Sequence, residues 1–497
     1  MPSQTLSTRV IRGLLWTGSP FFLQIFISIL FYATLETAKM GQFEYALVIV
    51  MLLGLVSSLG FGEALVQDRE VTEGHFSSAF WFALLFGLAL TGIVIGGAPA
   101  GIRRLHFLFE DPPLFTWILS TLVLLVPFAS VSGIFRARLQ RDLQFRAMAF
   151  AEVAGVIVYA SSAILLLPSQ GIGTPVLSAV IREVGLCLSL WVSCRWLPKL
   201  TLKVREVRDL APFGLQFTGS RCVNFINSNL PRVVVYNMLG AEAMGYFGFA
   251  VRLTLQPLTR MSTIITRVFF PTFAAVQEDD ARLRSGYLQT VQLIALFGWP
   301  LMAVLYVFAP DLIALIRLFK DNDMSPALVV LQLLLVATAL KSIGAVVGSM
   351  FMAKGRAGWT LNWSIFSLVV LVPTLLWGAS GGISGVAAAI AATSLLFLIL
   401  SQLYTNRLIQ LRPTDYLGVL VRPTLVTGFV FGVLWALRPM LPTDSPIHVA
   451  LSAGALAVVT CVVSLRLFAA SLCRSLWTSI RGRAVESAQS EGGIYAE

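Results

Sequence analysis

The sequence predicts an all-α integral membrane protein of about 14 transmembrane helices, two six-helix pseudo-repeats around a central cavity plus two C-terminal helices. Three observations carry this prediction. Apolar stretches long enough to cross a bilayer recur from one end of the chain to the other, basic residues fall in alternate loops, and a segment of the first half returns 204 residues later.

Of the 497 residues, 57% are hydrophobic and 12% charged, against roughly 25% charged in ordinary globular domains. That composition excludes a water-soluble fold. A helix of about 20 apolar residues crosses the roughly 30 Å of bilayer hydrocarbon, and residues 13–35, 76–102 and 112–135 contain no Asp, Glu, Lys or Arg. Residues 357–406 are also uncharged and read as two spans hinged at the glycine-rich stretch from Trp377 to Gly385. Hydropathy places helices at 14–35, 44–64, 78–98, 115–135, 147–167, 174–194, 213–237, 244–267, 287–309, 326–350, 358–377, 383–404, 417–437 and 446–466. The seventh and eighth carry charges, and without them the count is twelve.

Arg9 and Arg12 precede the first span and place the amino terminus in the cytoplasm, since Lys and Arg accumulate on the inner side. Alternation then assigns about 22 Lys and Arg to inner loops and about six to outer ones. The inner clusters are Arg136, Arg138, Arg141 and Arg146, then Arg195 to Arg208, and Arg466 to Arg483. The net charge of +11 is thus a topology signal, which argues against a nucleic-acid partner. Both termini are expected in the cytoplasm, and the first apolar segment reads as an uncleaved anchor. The five cysteines have no metal-ligand spacing, and no cofactor is expected.

Residues 31–46, FYATLETAKMGQFEYA, lie over 235–250, VYNMLGAEAMGYFGFA, with Tyr32, Leu35, Met40, Gly41, Phe43 and Ala46 repeated as Tyr236, Leu239, Met244, Gly245, Phe247 and Ala250. A second block agrees: Leu85-Phe86-Gly87 with Ala98-Pro99 returns as Leu296-Phe297-Gly298 with Ala309-Pro310. The offset spans six helices, an even number, so the halves keep one orientation and are related by an axis along the membrane normal. The expected units are a lobe at 1–196, a cytoplasmic linker at 197–212, a lobe at 213–410, two added helices at 411–470 and a cytoplasmic tail at 471–497.

Cations inside helices are the informative residues, because Arg at mid-bilayer costs about 2.5–3.5 kcal/mol on insertion scales and faces a wet interior. In the seventh helix Arg221, Asn224, Ser228 and Arg232 share one face, and in the eighth Arg252, Gln256, Arg260 and Arg267 do so. The tenth adds Lys341 beside Thr338 and Ser342. Arg suits phosphate because its planar fork donates two parallel hydrogen bonds. Candidate ligands are therefore Arg221, Arg252, Arg260 and Lys341 for an anion, with Asn224, Arg232, Tyr236 and Gln256 completing the set. For Arg232 and Arg267 the alternative is snorkelling to a headgroup. Arg182 is expected to pair with Glu183 or another acid, and Glu63 and Glu152 to act as structural partners of cations.

Four segments resemble a known family: MGQFEYALVIV at 40–50, SSLGFGEALVQDREVTEGHFSSAFW at 57–81, FRARLQRDLQFRAMAFAEV at 135–153, and the block from Asn229 to Phe273 ending in TRVFFPTF. They are similar to bacterial polysaccharide exporters and lipid-linked oligosaccharide flippases (Wzx-type), particularly the colanic-acid exporter branch, within the multidrug/oligosaccharidyl-lipid/polysaccharide exporter superfamily. The resemblance implies an undecaprenyl-diphosphate-linked oligosaccharide as substrate, turned across the bacterial inner membrane by alternating access. It also implies contact with membrane lipids and with a polysaccharide polymerase and chain-length machinery. The family's seventh helix often carries an acid near Pro231-Arg232, and this chain has none there. A multidrug cation antiporter of the same superfamily is the alternative; it needs an intramembrane carboxylate, and none is evident at the middle of a first-half helix. A membrane enzyme would need catalytic side chains on a large outer loop, which the sequence lacks.

The topology has a direct test. Alkaline phosphatase fused after Glu110 should be active, and fused after Asp142 inactive; the reverse pattern would invert every loop assignment.

Overall fold

The computed structural model describes residues 23–104, 109–275, 280–317, 323–353, 357–441 and 446–468. Side chains at 103, 256–275, 280, 345, 349, 352, 353, 357, 358, 360, 361 and 446–451 are not part of that description. Regular structure among the described residues is entirely helical, as a bilayer requires of chains that satisfy their backbone groups within each segment.

The first half comprises α1 (Leu23–Thr34), α2 (Thr37–Ser57), α3 (Phe61–Gln67), α4 (Glu73–Arg104), α5 (Pro112–Leu122), α6 (Leu125–Arg141), α7 (Phe145–Gln170) and α8 (Gly173–Cys194). The second comprises α9 (Val204–Ala275), α10 (Asp280–Val307), α11 (Ala309–Arg317), α12 (Pro326–Ala353), α13 (Ala357–Ala379) and α14 (Gly382–Leu408). The last pair is α15 (Pro413–Leu437) and α16 (Pro446–Phe468). Ten helical stretches among the described residues are long and apolar enough to cross a membrane. The other four expected spans are α1, α16 and the two limbs of α9, whose charges set it apart in the sequence as well.

Proline chemistry explains the break between α5 and α6, where one helix was expected. Pro127 has no N–H for the carbonyl of Val123, which instead accepts from the Val126 N–H at 3.0 Å and from the Thr91 hydroxyl at 3.2 Å. In the stretch expected as a linker, α9 already begins at Val204. The preceding residues are fastened to α4: the Trp81 indole N–H donates to the Lys199 carbonyl at 2.8 Å, and the Lys199 amide donates to Ser77 at 3.1 Å.

The repeat extends to backbone conformation. Between α1 and α2 the chain breaks at Glu36 in an extended conformation, and α9 breaks at Gly240, 204 residues later. Gly240 has φ 90° and ψ 179°, a region essentially reserved for glycine. The two breaks lie side by side. A methyl added at Gly41 would sit 1.7 Å from the Ala241 carbonyl oxygen, and one added at Gly245 would sit 2.2 Å from that of Thr37. Thr37 and Ala241 are repeat mates, as are Gly41 and Gly245, so each contact is the other with the halves exchanged. The aromatic rings follow the same rule: Tyr32 packs edge-on against Phe249 at 5.3 Å, and their mates Tyr236 and Tyr45 stack at 4.0 Å. Such reciprocal contacts are the mark of a two-fold relation, and glycine lets membrane helices approach to backbone contact.

Packing differs at the two ends. Around this junction a single core draws on both halves, including Phe31, Met40, Leu122, Phe247 and Leu331. At the other end the core divides: one part holds Phe61, Phe80, Phe135 and Leu190 of the first half, the other Tyr287, Val347 and Phe351 of the second. The halves therefore share a core at one end and have separate cores at the other, where the first limb of α9 stays packed on the first half through Val207, Leu210 and the close approach of Gly60 and Gly214. The added pair packs on α10 through Val430, Leu434 and Val307, and Arg438 is paired with Asp311 at 2.9 Å.

Backbone contact leaves no room for a methyl at the junction. Gly41→Ala should lower the thermal unfolding midpoint by several degrees, overpacking costing about 1–3 kcal/mol. Gly92→Ala, where nothing lies within 4 Å, should leave it unchanged.

Candidate functional site: a cationic cavity between the halves

Where the cores divide, α1, α2, α3, α6, α7, α8 and the first limb of α9 enclose a cavity of about 1080 Å³. Exposure gives its direction. Arg221 and Glu63 are 52% and 38% exposed, whereas Arg252 and Glu44 are 15% and 3% exposed. The mouth thus lies by α3 and the end of α6, with Val66, Gln67, Arg136 and Gln140, and the floor lies against the junction of the halves.

Most of the candidates from the seventh helix face this space, since three- and four-residue spacing keeps them on one side of α9. Arg221, Asn224 and Arg232 line the cavity, as does Arg252 from the second limb. Arg221 donates to Glu63 at 2.8 Å. Asn224 accepts from the Ser364 hydroxyl at 3.0 Å, tying α9 to α13. Arg232 donates to the neutral amide of Asn229 at 2.8 Å. Arg182, also in the wall, lies 3.8 Å from Glu183.

Other candidates fall elsewhere. Tyr236 is 2% exposed and stacked on Tyr45 in the seal beneath the floor, away from the cavity wall; its hydroxyl has no acceptor or donor among the described residues. Lys341 is on α12, outside the cavity lining and without an ion pair among the described residues. Gln256 and Arg260 lie on the α9 helix, with side chains outside the described residues, as does Arg267. Glu152 is exposed on α7 and forms no ion pair among the described residues.

The floor contains a residue that hydropathy missed. Helix 2 was expected to begin at residue 44, which left Glu44 at its rim; α2 begins at Thr37, so Glu44 sits two turns inside. The repeat held the correction, because the break at Glu36 aligns with Gly240. Glu44 is almost fully buried, and its Oε1 accepts from Arg252 Nε and from the Tyr32 hydroxyl at 3.0 Å. Arg252 also donates to Ser28 at 3.2 Å and lies over the Phe43 ring. This pair joins α2 of the first half to α9 of the second. A carboxylate buried this deeply is tolerable only with such partners.

Removing one member should expose that dependence. Glu44→Gln leaves Arg252 buried without a counter-charge and should destabilise the fold by about 3–5 kcal/mol. Joint replacement, Glu44→Gln with Arg252→Met, should recover much of the loss in a double-mutant cycle read by thermal unfolding.

Comparison with known proteins places this geometry in context. Lipopolysaccharide biosynthesis protein WzxC of Escherichia coli (strain K12) is 25% identical over 448 residues, 86% of this chain and 89% of that one. Teichuronic acid biosynthesis protein TuaB of Bacillus subtilis (strain 168) is 25% identical over 414 residues, 81% of this chain and 83% of its own. Among solved structures, the lipid II flippase MurJ in an inward closed conformation superposes with a TM-score of 0.73 at 16% identity, covering 93% of this chain and all of that one, which establishes a common fold. Residues 34–326 match a defined protein family, a stretch that includes the junction, the cavity and its charged floor. The chain belongs to the polysaccharide biosynthesis protein family.

Proposed function

We propose that the protein is a flippase that carries undecaprenyl-diphosphate-linked oligosaccharide repeat units across the bacterial inner membrane. The observation that supports this reading best is the cavity: about 1080 Å³, beyond the roughly 300–1,000 Å³ of small-molecule sites, and lined with arginines and amides. Arginine suits a diphosphate, and Asn224, Asn229, Gln67 and Gln140 offer hydrogen bonds to sugars.

In this reading both termini are cytoplasmic and the mouth opens to the cytoplasm, because it lies beside the basic cluster at the end of α6. The lobes at 1–196 and 213–410 rock about the junction, the mouth closing as the Gly41–Gly245 contact parts. Residues 411–470 form the attached pair and 471–497 the tail. The sugar enters the cavity while the polyprenyl tail remains in lipid, and the product reaches the outer leaflet for a polymerase and its chain-length machinery. A drug-cation antiporter fits less well. Its carboxylate must be free to bind cargo or a coupling ion, and Glu44 is held by Arg252 and Tyr32.

Deletion of the gene should abolish the surface polysaccharide and accumulate its lipid-linked repeat unit on the cytoplasmic leaflet, measured by leaflet-selective labelling. Unchanged polymer together with sensitivity to cationic drugs would instead favour the antiporter.

A further inference from the structure

The cavity wall carries five arginines, Arg136, Arg182, Arg221, Arg232 and Arg252, and three glutamates, Glu44, Glu63 and Glu183. Their pairing decides where charge is left over. Glu63 answers Arg221, Glu44 answers Arg252, and Glu183 lies 3.8 Å from Arg182. Arg136 and Arg232 remain, each without an ion pair among the described residues. Each also has a buried Nε with no acceptor, as does Arg182, whose charge Glu183 offsets at 3.8 Å, although buried donors are nearly always satisfied. Arg136 differs here from its neighbours in the same basic cluster: Arg138 is paired with Glu73 at 2.7 Å, and Arg141 donates to the carbonyls of Leu65, Asp68 and Arg69.

The two unanswered cations stand at opposite ends. Ser57 and Ser130 meet at 2.6 Å, which sets the register of α2 against α6. Arg136 lies six residues from Ser130 toward the mouth, and Glu44 thirteen residues from Ser57 toward the floor. At 1.5 Å per residue, Arg136 and Glu44 are roughly 25–30 Å apart along the helices, and Arg136 and Arg232 roughly 20–25 Å. Arg232 belongs to the floor: it is one helical turn from Tyr236, which stacks on Tyr45, the neighbour of Glu44. No diphosphate reaches across that distance.

We infer that Arg136 and Arg232 are two successive oxyanion stations for one cargo, Arg136 receiving the diphosphate at the mouth and Arg232 holding it at the floor, where the halves meet. The inference rests on the flippase reading and assigns its anion contacts. It shifts them from Arg221 and Arg252, whose charges are met internally, to a residue whose position in a loop-end cluster made it look like topology alone. The ligand chemistry is an oxyanion, and its source is the diphosphate linker. At the floor the cargo's negative charge also lies beside the Glu44–Arg252 pair that bridges the halves, so arrival and rearrangement are coupled at one place. The mouth station has no such neighbour and acts in capture alone.

The test is flipping of a fluorescent polyprenyl-diphosphate disaccharide with a neutral glycan, in liposomes containing the purified full chain. Arg136→Gln should raise KM about tenfold with kcat nearly unchanged, and Arg232→Gln should lower kcat about tenfold or more with KM nearly unchanged, as loss of one charge-assisted contact predicts. Arg136→Lys and Arg232→Lys should restore part of each loss, and Arg146→Gln, in the same basic cluster but outside the cavity, should match the wild type. Thermal midpoints of all variants separate misfolding from a binding defect. Identical kinetic profiles for the two glutamine variants, or wild-type behaviour in both, would overturn the stations while wild-type flipping still stands. Defects confined to cargo with acidic sugars would overturn the diphosphate in favour of a glycan carboxylate. Failure of the wild-type protein to flip any lipid diphosphate would instead remove the flippase reading itself.

Discussion

Gly41 and Gly245 bring the backbones of α2 and α9 into contact at one end of the molecule, and the remaining architecture is organised around that contact. Lipid tails are as apolar as leucine, so helices gain little by merely hiding side chains from them; close packing and hydrogen bonds do the work instead. Two glycines one repeat apart allow it on both sides of the same seam. With the halves pinned there, right where α1 gives way to α2 and α9 bends at Gly240, their cores separate toward the far end while the first limb of α9 stays on the first half. The cavity lies there, lined by first-half helices and by α9.

Electrostatics then decides what that space accepts. A charge transferred from water to a low-dielectric interior loses several kcal/mol of solvation, so arginines persist there only with a partner or with water. At the floor Arg252 uses the first solution, with Glu44, Tyr32, Ser28 and Arg252 in one hydrogen-bonded group, and Arg232 has the neutral Asn229 amide as its partner. The mouth uses the second, and the exposed Arg221–Glu63 pair there is worth about 0–1 kcal/mol. What remains is a net positive wall, firm at the bottom and loose at the top. The burial of the deep pair and the exposure of the shallow one suit a protein that must hold its halves together while leaving one side open.

Much of this was legible in the sequence. Hydropathy located all of the helices that the described residues contain as spans, and the repeat named Gly41, Gly245, Tyr32 and Tyr236 before their contacts were known. The polar face of α9 followed from spacing alone. Hydropathy could not find Glu44 inside a helix, because a single acid trims an apolar window and moves the expected helix start onto it. Nor could spacing tell which arginines are neutralised: Glu63 and Arg221 are 158 residues apart, Glu44 and Arg252 208 apart, and only the fold brings them together. Tyr236 shows the limit from the other side, since a phenol on a polar helix reads as a ligand contact until its ring is found stacked against Tyr45.

The bend at Gly240 opens the second limb of α9 with an amide that needs an acceptor, and the acceptor comes from afar: the Ala241 N–H donates to Glu110 Oε1 at 3.1 Å. A carboxylate at a helix start also meets the positive end of the helix dipole. Glu110 precedes α5, 131 residues upstream of the group it serves. During synthesis the ribosome therefore delivers the capping carboxylate before the helix that requires it.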